Sequence, residues 1–123
     1  MPARVVVVLN DPEVAKQTVD VLAAEGCDAA TLPDSMVALH ALEGAVRIEV
    51  LVTTLEHGDG KPNGIALARM TKVKRPGIKV VFVGESDLMH YTAGLGDFIA
   101  SPVAASEIAA KARQMLEGER GPN

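Results

Sequence analysis

The sequence predicts one α/β domain in which five strand–helix units build an open parallel sheet with helices on both faces. Three β-branched runs lack polar alternation, which is typical of strands buried on both faces: Val5 to Leu9, Ile48 to Val52 and Val80 to Val83. Segments with helical spacing of apolar residues lie between these runs. Because strands that alternate with helices pair in parallel through right-handed crossovers, the pattern predicts this layered architecture.

The first helix has the clearest boundaries in the chain. Asp11 can cap it, Pro12 suits its first turn, and Gly26 is placed to end it. Residues at helical spacing between these limits are Val14, Thr18, Val21 and Leu22. We therefore expect a helix directly after the first strand, with Asp11 at its start.

The remaining elements are predicted from shorter patterns. Two weaker strands, Ala29 to Leu32 and Asp97 to Ala100, are expected at or near the sheet edges. A second helix is expected from Ser35 to Leu42 with a stop at Gly44, and a third from Asn63 or Gly64 to Lys74 with Ile65, Leu67 and Met70 inward. A short fourth helix is expected to run through Tyr91 with Ser86 as its cap. The last helix is expected after Pro102, and its apolar residues are Ile108, Ala109, Ala112, Met115 and Leu116. With five strands the flavodoxin-like order 2-1-3-4-5 is favoured, so any site is expected at the carboxyl ends of strands one and three.

Composition limits the function classes. At 123 residues, with 48% apolar and 23% charged residues, the chain is expected to form one domain over 1–118 and a disordered tail over 119–123. Its net charge of −4 argues against a nucleic-acid partner, and no run approaches the roughly 20 apolar residues of a membrane span. The single cysteine, Cys27, fits a reducing cytoplasm and is expected to be buried.

A series of landmarks follows a recognisable order along the chain. These residues are Asp11-Pro12-Glu13-Val14, Glu25-Gly26, Pro62 with Gly64, Arg75-Pro76-Gly77, Ala93-Gly94, Gly96-Asp97-Phe98 and Pro102. The layout, which extends from Arg4 to Glu117, resembles a response-regulator receiver domain. The resemblance implies a (βα)5 receiver fold, a role in two-component phosphorelay signalling, and a sensor kinase or another signalling protein as partner.

The same resemblance places the functional positions of a receiver on residues with unsuitable chemistry. The acidic pair falls on Leu9 and Asn10, the phosphoacceptor on Thr54, the switch hydroxyl on Gly84 and the lysine on Ser101. Leu9 offers no oxygen to Mg²⁺, and Thr54 lacks an adjacent activating base. Gly84 cannot donate a hydroxyl, and Ser101 supplies no cation for a phosphoryl group. We therefore predict a degenerate, stand-alone receiver that acts by protein interaction, without phosphorylation, a catalytic residue, a metal or a cofactor.

Alternatives remain open from the residues themselves. Asn10, Asp11 and Glu56 could form a weak metal site or the centre of a small flavodoxin-like enzyme, whereas the favoured interpretation of Asp11 is a plain helix cap. The loop His57-Gly58-Asp59-Gly60-Lys61-Pro62 is interpreted as a flexible polar loop or as a partner-docking loop. The chain could also be a receiver module from a longer regulator.

One surface is predicted as an interface because receivers signal through the face formed by their fourth helix, fifth strand and fifth helix. Here that face would carry Met89, His90, Tyr91, Phe98, Lys111 and Gln114. Aromatic residues are favoured interface anchors, and Tyr91 and Phe98 are two of the three in the chain. Phe98 could instead pack inward permanently, with Gly84 leaving room beside it. We expect a homodimer, through this face or through the loop from Thr54 to Gly64, which is longer than the common receiver pattern.

Overall fold

The computed structural model of the chain describes residues 3–44, 47–56 and 63–118. One parallel sheet has the predicted order β2-β1-β3-β4-β5 and consists of β1 (Val5–Val8), β2 (Ala29–Thr31), β3 (Val50–Thr54), β4 (Lys79–Gly84) and β5 (Asp97–Ala100). The α-helices are α1 (Pro12–Ala24), α2 (Ser35–Gly44), α3 (Gly64–Lys74) and α4 (Ala105–Gly118), and a 3-10 helix (Ser86–Thr92) connects β4 to β5. The loop 57–62 and the tail 119–123 lie outside the described residues.

The three central strands are buried on both faces, as their unbroken β-branched runs predict. All four residues of β1, Val5 to Val8, are fully buried. The register runs from Val5 opposite Val50 to Val8 opposite Thr53, so β1 and β3 end at the same edge of the sheet. The less apolar strands β2 and β5 form the two edges, which confirms their predicted position.

Helices cover the sheet in two layers with separate cores. α1 and α4 pack on one face, where Val5, Val7 and Ile108 belong to one buried cluster. α2, α3 and the 3-10 helix pack on the other face, where Val6 and Phe82 belong to a second cluster. Alternate residues of β1 serve the two clusters because successive side chains of a strand point to opposite faces.

The boundaries of α1 follow the predicted signals. The Asp11 side chain accepts hydrogen bonds from the backbone N–H groups of Glu13 at 3.0 Å and Val14 at 3.3 Å. Gly26 follows the helix with φ of +80°, a conformation that glycine adopts readily. Cys27 is buried, as predicted.

Two predictions for the second layer were wrong. The segment that starts at Ser86 is a 3-10 helix, and Ser86 lies inside it, while Glu85 precedes it without a side-chain cap. Met70 is 41% exposed instead of facing inward. The buried stripe of α3 consists of Gly64, Leu67, Ala68 and Thr71, at the spacing of one helical face. Met70 lies outside that stripe. None of the described helices is both long and apolar enough to cross a membrane.

Candidate functional site

A cleft of about 450 Å³ opens at the carboxyl ends of β1, β3 and β4, where the strand order reverses. This is the edge at which an open parallel sheet binds ligands. The structure brings the seven residues predicted for this site into its lining: Leu9, Asn10, Asp11, Thr54, Glu56, Gly84 and Ser101. Further lining residues that the sequence did not indicate include Leu55, Glu85, Leu88 and Val103.

The polar groups on the β1 and β3 side of the cleft bind each other. The Asn10 side-chain amide donates to the Glu56 backbone carbonyl oxygen, with an Nδ2 to O distance of 2.7 Å. The Thr54 hydroxyl donates to the same carbonyl oxygen at 3.2 Å. The Asn10 bond therefore ties the loop after β3 to the loop after β1, whereas the Thr54 bond is local to the end of β3.

Asp11 is the third polar group on this side. Its carboxylate accepts the two N–H groups of the first turn of α1 described above. A carboxylate at this position satisfies donors that have no partner within the helix, and it interacts favourably with the helix dipole. The contacts of Asp11 in the structure are therefore those of a helix cap.

Gly84 and Leu55 form the β4 side of the cleft. Leu55 lies immediately after β3 and is buried, and its backbone N–H donates to the Val83 carbonyl at 3.2 Å. An added Cβ on Gly84 would meet the Leu55 side chain, 2.8 Å from Cδ1. The volume beside Gly84 is thus filled by Leu55, which corrects the expectation of free room there. Phe98 is paired with Phe82, whereas Gly84 is paired with Ala100.

The charged residues of the cleft share one sign. Asp11, Glu56 and Glu85 contribute carboxylates, and none of the described lining residues is a lysine, an arginine or a histidine. Such a lining repels a phosphate dianion, because like charges at short range are unfavourable and no cation compensates them. The electrostatics of the described cleft favour cationic or neutral groups over anions.

Sequence reasoning missed Leu55 and Glu85, although each follows a residue that it had selected. Leu55 comes directly after Thr54, and Glu85 directly after Gly84. A residue that follows a strand into a site-forming loop is a candidate on position alone. The contact between the Leu55 side chain and Gly84 is, however, a tertiary contact, and no local sequence pattern predicts it.

The residues predicted for the interface differ in their exposure. Met89 and Tyr91 are 55% and 58% exposed, and the ring of Tyr91 lies 4.0 Å from that of His90, centroid to centroid. Phe98 is partly buried against the second core cluster. Lys111 forms an ion pair with Asp97 at 2.9 Å, and its ammonium donates to the Gln114 side-chain oxygen at 3.4 Å. Phe98 therefore packs largely inward, whereas Met89 and Tyr91 are available on the surface.

No protein-family model matches the chain, and no curated protein matches it by sequence. Solved structures do match it. NtrX from Brucella abortus superposes with a TM-score of 0.81 and 22% identity over 98% of this chain, which spans only 28% of that chain. The receiver domain of the same protein gives a TM-score of 0.78 and 22% identity, covering 92% of this chain and 98% of that chain. A CheY-like response regulator receiver domain protein from Methanospirillum hungatei JF-1 gives 0.80 and 19%, with 98% of each chain covered.

The chain has the receiver fold. At identities this low, the structural similarity shows the fold only. The chemistry of the cleft has to be judged from the residues of this chain. Receivers use this cleft for Mg²⁺, and the residues present here fit that ion poorly. The Leu9 side chain has no oxygen, and the Glu56 carbonyl oxygen already accepts hydrogen bonds from Asn10 and Thr54. Mg²⁺ demands near-octahedral oxygen ligands with one or two carboxylates, while Asp11 is engaged with the helix end. Among the residues that the structure describes, no group of three or more His, Cys, Asp or Glu could hold a metal.

Proposed function

We propose that this chain is a receiver-like interaction module of two-component signal transduction that works without accepting phosphate. One observation carries the proposal. The end of β3 presents Thr54, whose hydroxyl donates to the Glu56 carbonyl, in a cleft whose described charged residues are all acidic. A nucleophile, a cation and a hydroxyl donor are the parts that phosphoryl transfer needs, and each has an inert replacement here.

The nucleophile is the first missing part. A threonine hydroxyl is a poor nucleophile unless a neighbouring base removes its proton. The acceptor of the Thr54 proton is a backbone carbonyl, which cannot act as a base at neutral pH. Stabilisation of the transferring group is missing as well, because Ser101 stands where a receiver places its lysine.

Intact-protein mass spectrometry tests this proposal. The chain is incubated with acetyl phosphate and Mg²⁺, beside a phosphate-accepting receiver as a positive control. We expect no gain of about 80 Da, the mass of one phosphoryl group. A gain that is present in the wild type and lost in Thr54→Ala would contradict the proposal directly.

The surface around Tyr91 supplies the proposed contact with a second copy or with a signalling partner such as a sensor kinase. Exposed aromatic and methionine side chains are favoured at interfaces, and Met89 and Tyr91 lie together on the 3-10 helix. In sedimentation velocity we expect a dimer that Met89→Glu with Tyr91→Glu converts to a monomer. Val37→Glu, an equally polar change at an exposed position of α2, should leave the dimer intact. A monomeric wild type would remove the homodimer from the proposal.

The alternative is a weak metal site or small enzyme centre formed by Asn10, Asp11 and Glu56, which line the cleft together. A titration with Mg²⁺ distinguishes this alternative from an interaction module that binds no metal. A site built from Asn10, Asp11 and Glu56 would raise the thermal unfolding midpoint with increasing Mg²⁺ and lose that response in Asp11→Asn. An interaction module without metal would show neither effect. A cytoplasmic location stays a prediction.

A further inference from the structure

Large exposed apolar side chains are confined to one of the two helix layers. Within the described residues there are six, and all belong to α2, α3 or the 3-10 helix: Met36, Val37, Met70, Val73, Met89 and Tyr91. On the opposite layer, an ion pair between Arg113 and Glu25 joins α4 to the end of α1, and Lys16 pairs with Asp20 within α1. Exposed apolar side chains that lie next to one another are candidates for an interaction site, whereas isolated ones are not.

The outer face of α3 combines this apolar surface with positive charge. Met70 and Val73 are three residues apart, and Val73 is 80% exposed, the most exposed of the six. Arg69 and Lys74 flank them at the neighbouring helical positions, and both are exposed. The spacing reproduces one heptad of a coiled-coil seam, with Met70 and Val73 at the apolar positions and the two cations at the flanking positions.

The charges on this face are available to a partner. Lys72 and Arg75, which lie close by in the sequence, donate to the carbonyl oxygens of Ile78 at 3.0 Å and Leu42 at 3.2 Å. Arg69 and Lys74, by contrast, have no hydrogen-bond or ion-pair partner among the described residues. The sequence of α3 contains no acidic residue, although the whole chain has a net charge of −4. α3 therefore carries a net positive charge within an acidic chain.

We propose that the outer face of α3, formed by Arg69, Met70, Val73 and Lys74, docks an amphipathic helix of another protein whose apolar stripe is flanked by acidic residues. Two copies of this basic face would repel each other, so charge complementarity favours a partner of opposite sign over self-association. Flanking charges of this kind set partner choice in helix pairing. The residues of the α3 face are different from those that line the cleft and from those of the Tyr91 surface. The α3 face adds a partner to the proposed function and does not depend on whether the cleft accepts phosphate.

Fluorescence anisotropy with a synthetic peptide tests the proposal. The probe is a labelled helix of about three heptads with Ile and Leu in its apolar stripe and Glu at the flanking positions, and its control carries Lys there instead. We expect saturable binding of the Glu peptide that weakens about tenfold when salt is raised from about 50 to about 300 mM. The Lys peptide should bind at least about tenfold more weakly, since its charges match those of α3.

Variants locate the contact. Arg69→Glu with Lys74→Glu, and separately Val73→Ser, should each weaken binding of the Glu peptide about tenfold, or about 1.4 kcal/mol. Lys16→Glu, a charge reversal at an exposed position of α1, should leave it within about twofold. Unfolding midpoints of all variants are measured in parallel, and the salt dependence of the wild type tests the charge contribution without any substitution.

Three outcomes would overturn the proposal. The first is absence of binding of the Glu peptide, or binding that the α3 substitutions leave unchanged. The second is self-association that the α3 substitutions abolish, which would make a second copy the occupant. The third is α3-dependent sedimentation with vesicles of about 30% anionic lipid together with no peptide binding, which would make a membrane surface the occupant. Each leaves the phosphodonor experiment unaffected, so the absence of phosphate acceptance is tested separately.

Discussion

The Leu55 Cδ1 atom lies 2.8 Å from the position that a Cβ on Gly84 would occupy. Leu55 therefore fills the place in which any side chain at position 84 would have to sit. Because Leu55 is buried and closes this side of the cleft, a hydroxyl at position 84 could point into the cleft only after Leu55 had moved. The packing of Leu55, in addition to the glycine itself, therefore disfavours a hydroxyl group at position 84.

This contact predicts a measurable coupling. Gly84→Ala should lower the free energy of unfolding by about 1 kcal/mol, since the end of a flexible side chain has to shift. In a Leu55→Ala background the same change should cost at least about 0.5 kcal/mol less, because the obstructing atoms are gone. Urea unfolding of the wild type, both single variants and the double variant gives the coupling. Strictly additive effects would show that Leu55 does not fill this space.

Gly64 should be sensitive to substitution because α3 begins directly against the end of β3. Its backbone N–H donates to the Leu55 carbonyl at 2.8 Å, and an added Cβ would collide with the Thr54 backbone carbonyl. Gly64→Ala should therefore lower stability by about 1–3 kcal/mol. The matched control is Gly77→Ala, where an added Cβ meets no atom within 4 Å. Equal effects at the two positions in urea unfolding would contradict the close approach.

Asp11 should behave as a helix cap. Asp11→Ala removes the acceptor of two N–H groups and should lower the free energy of unfolding by about 1 kcal/mol. Asp11→Asn retains a capping oxygen and should leave stability nearly unchanged. Asp20→Ala, on the same helix, removes only a surface ion pair with Lys16 and serves as the control. If Asp11→Asn were as damaging as Asp11→Ala, the carboxylate charge would have a role beyond capping.

Cys27 should make stability depend on pH on the alkaline side. Burial raises the pKa of the Cys27 thiol, so the folded chain keeps this proton to a higher pH than the unfolded chain does. The stability it contributes is complete below the unfolded thiol pKa of about 8.5 and is lost as pH rises through the folded value. Urea unfolding of wild type and Cys27→Ala, in the presence of a reductant, should diverge above that pH. Parallel curves for the two proteins would rule out the thiol as the cause.

The sequence was sufficient to predict the fold because its local signals agree with one another. Unbroken β-branched runs identified the central strands, and Asp11 with Pro12 identified the start of α1. Strand order then followed from the alternation of strands and helices, and it placed the cleft at the correct edge. These features depend on residues near each other in the chain, which is why they can be read from it.

Other features depend on contacts between distant residues, and the sequence predicted them less well. Met70 is apolar yet exposed, because the buried stripe of α3 passes through Leu67 and Thr71 instead. The segment after Ser86 folds as a 3-10 helix, a form common in short connectors that apolar spacing does not distinguish from an α-helix. Leu55 entered the cleft unpredicted because its contact with Gly84 joins residues that are distant in the sequence.

The central claim is that the cleft neither coordinates Mg²⁺ nor receives a phosphoryl group. The most direct measurement is a titration of ¹⁵N-labelled protein with Mg²⁺ and then with beryllofluoride, a phosphoryl mimic, followed by the amide resonances of Asn10, Thr54 and Gly84. The account predicts that these resonances stay where they are, apart from small shifts proportional to ionic strength. Saturable shifts at the three positions, dependent on Mg²⁺ and beryllofluoride together, would contradict it.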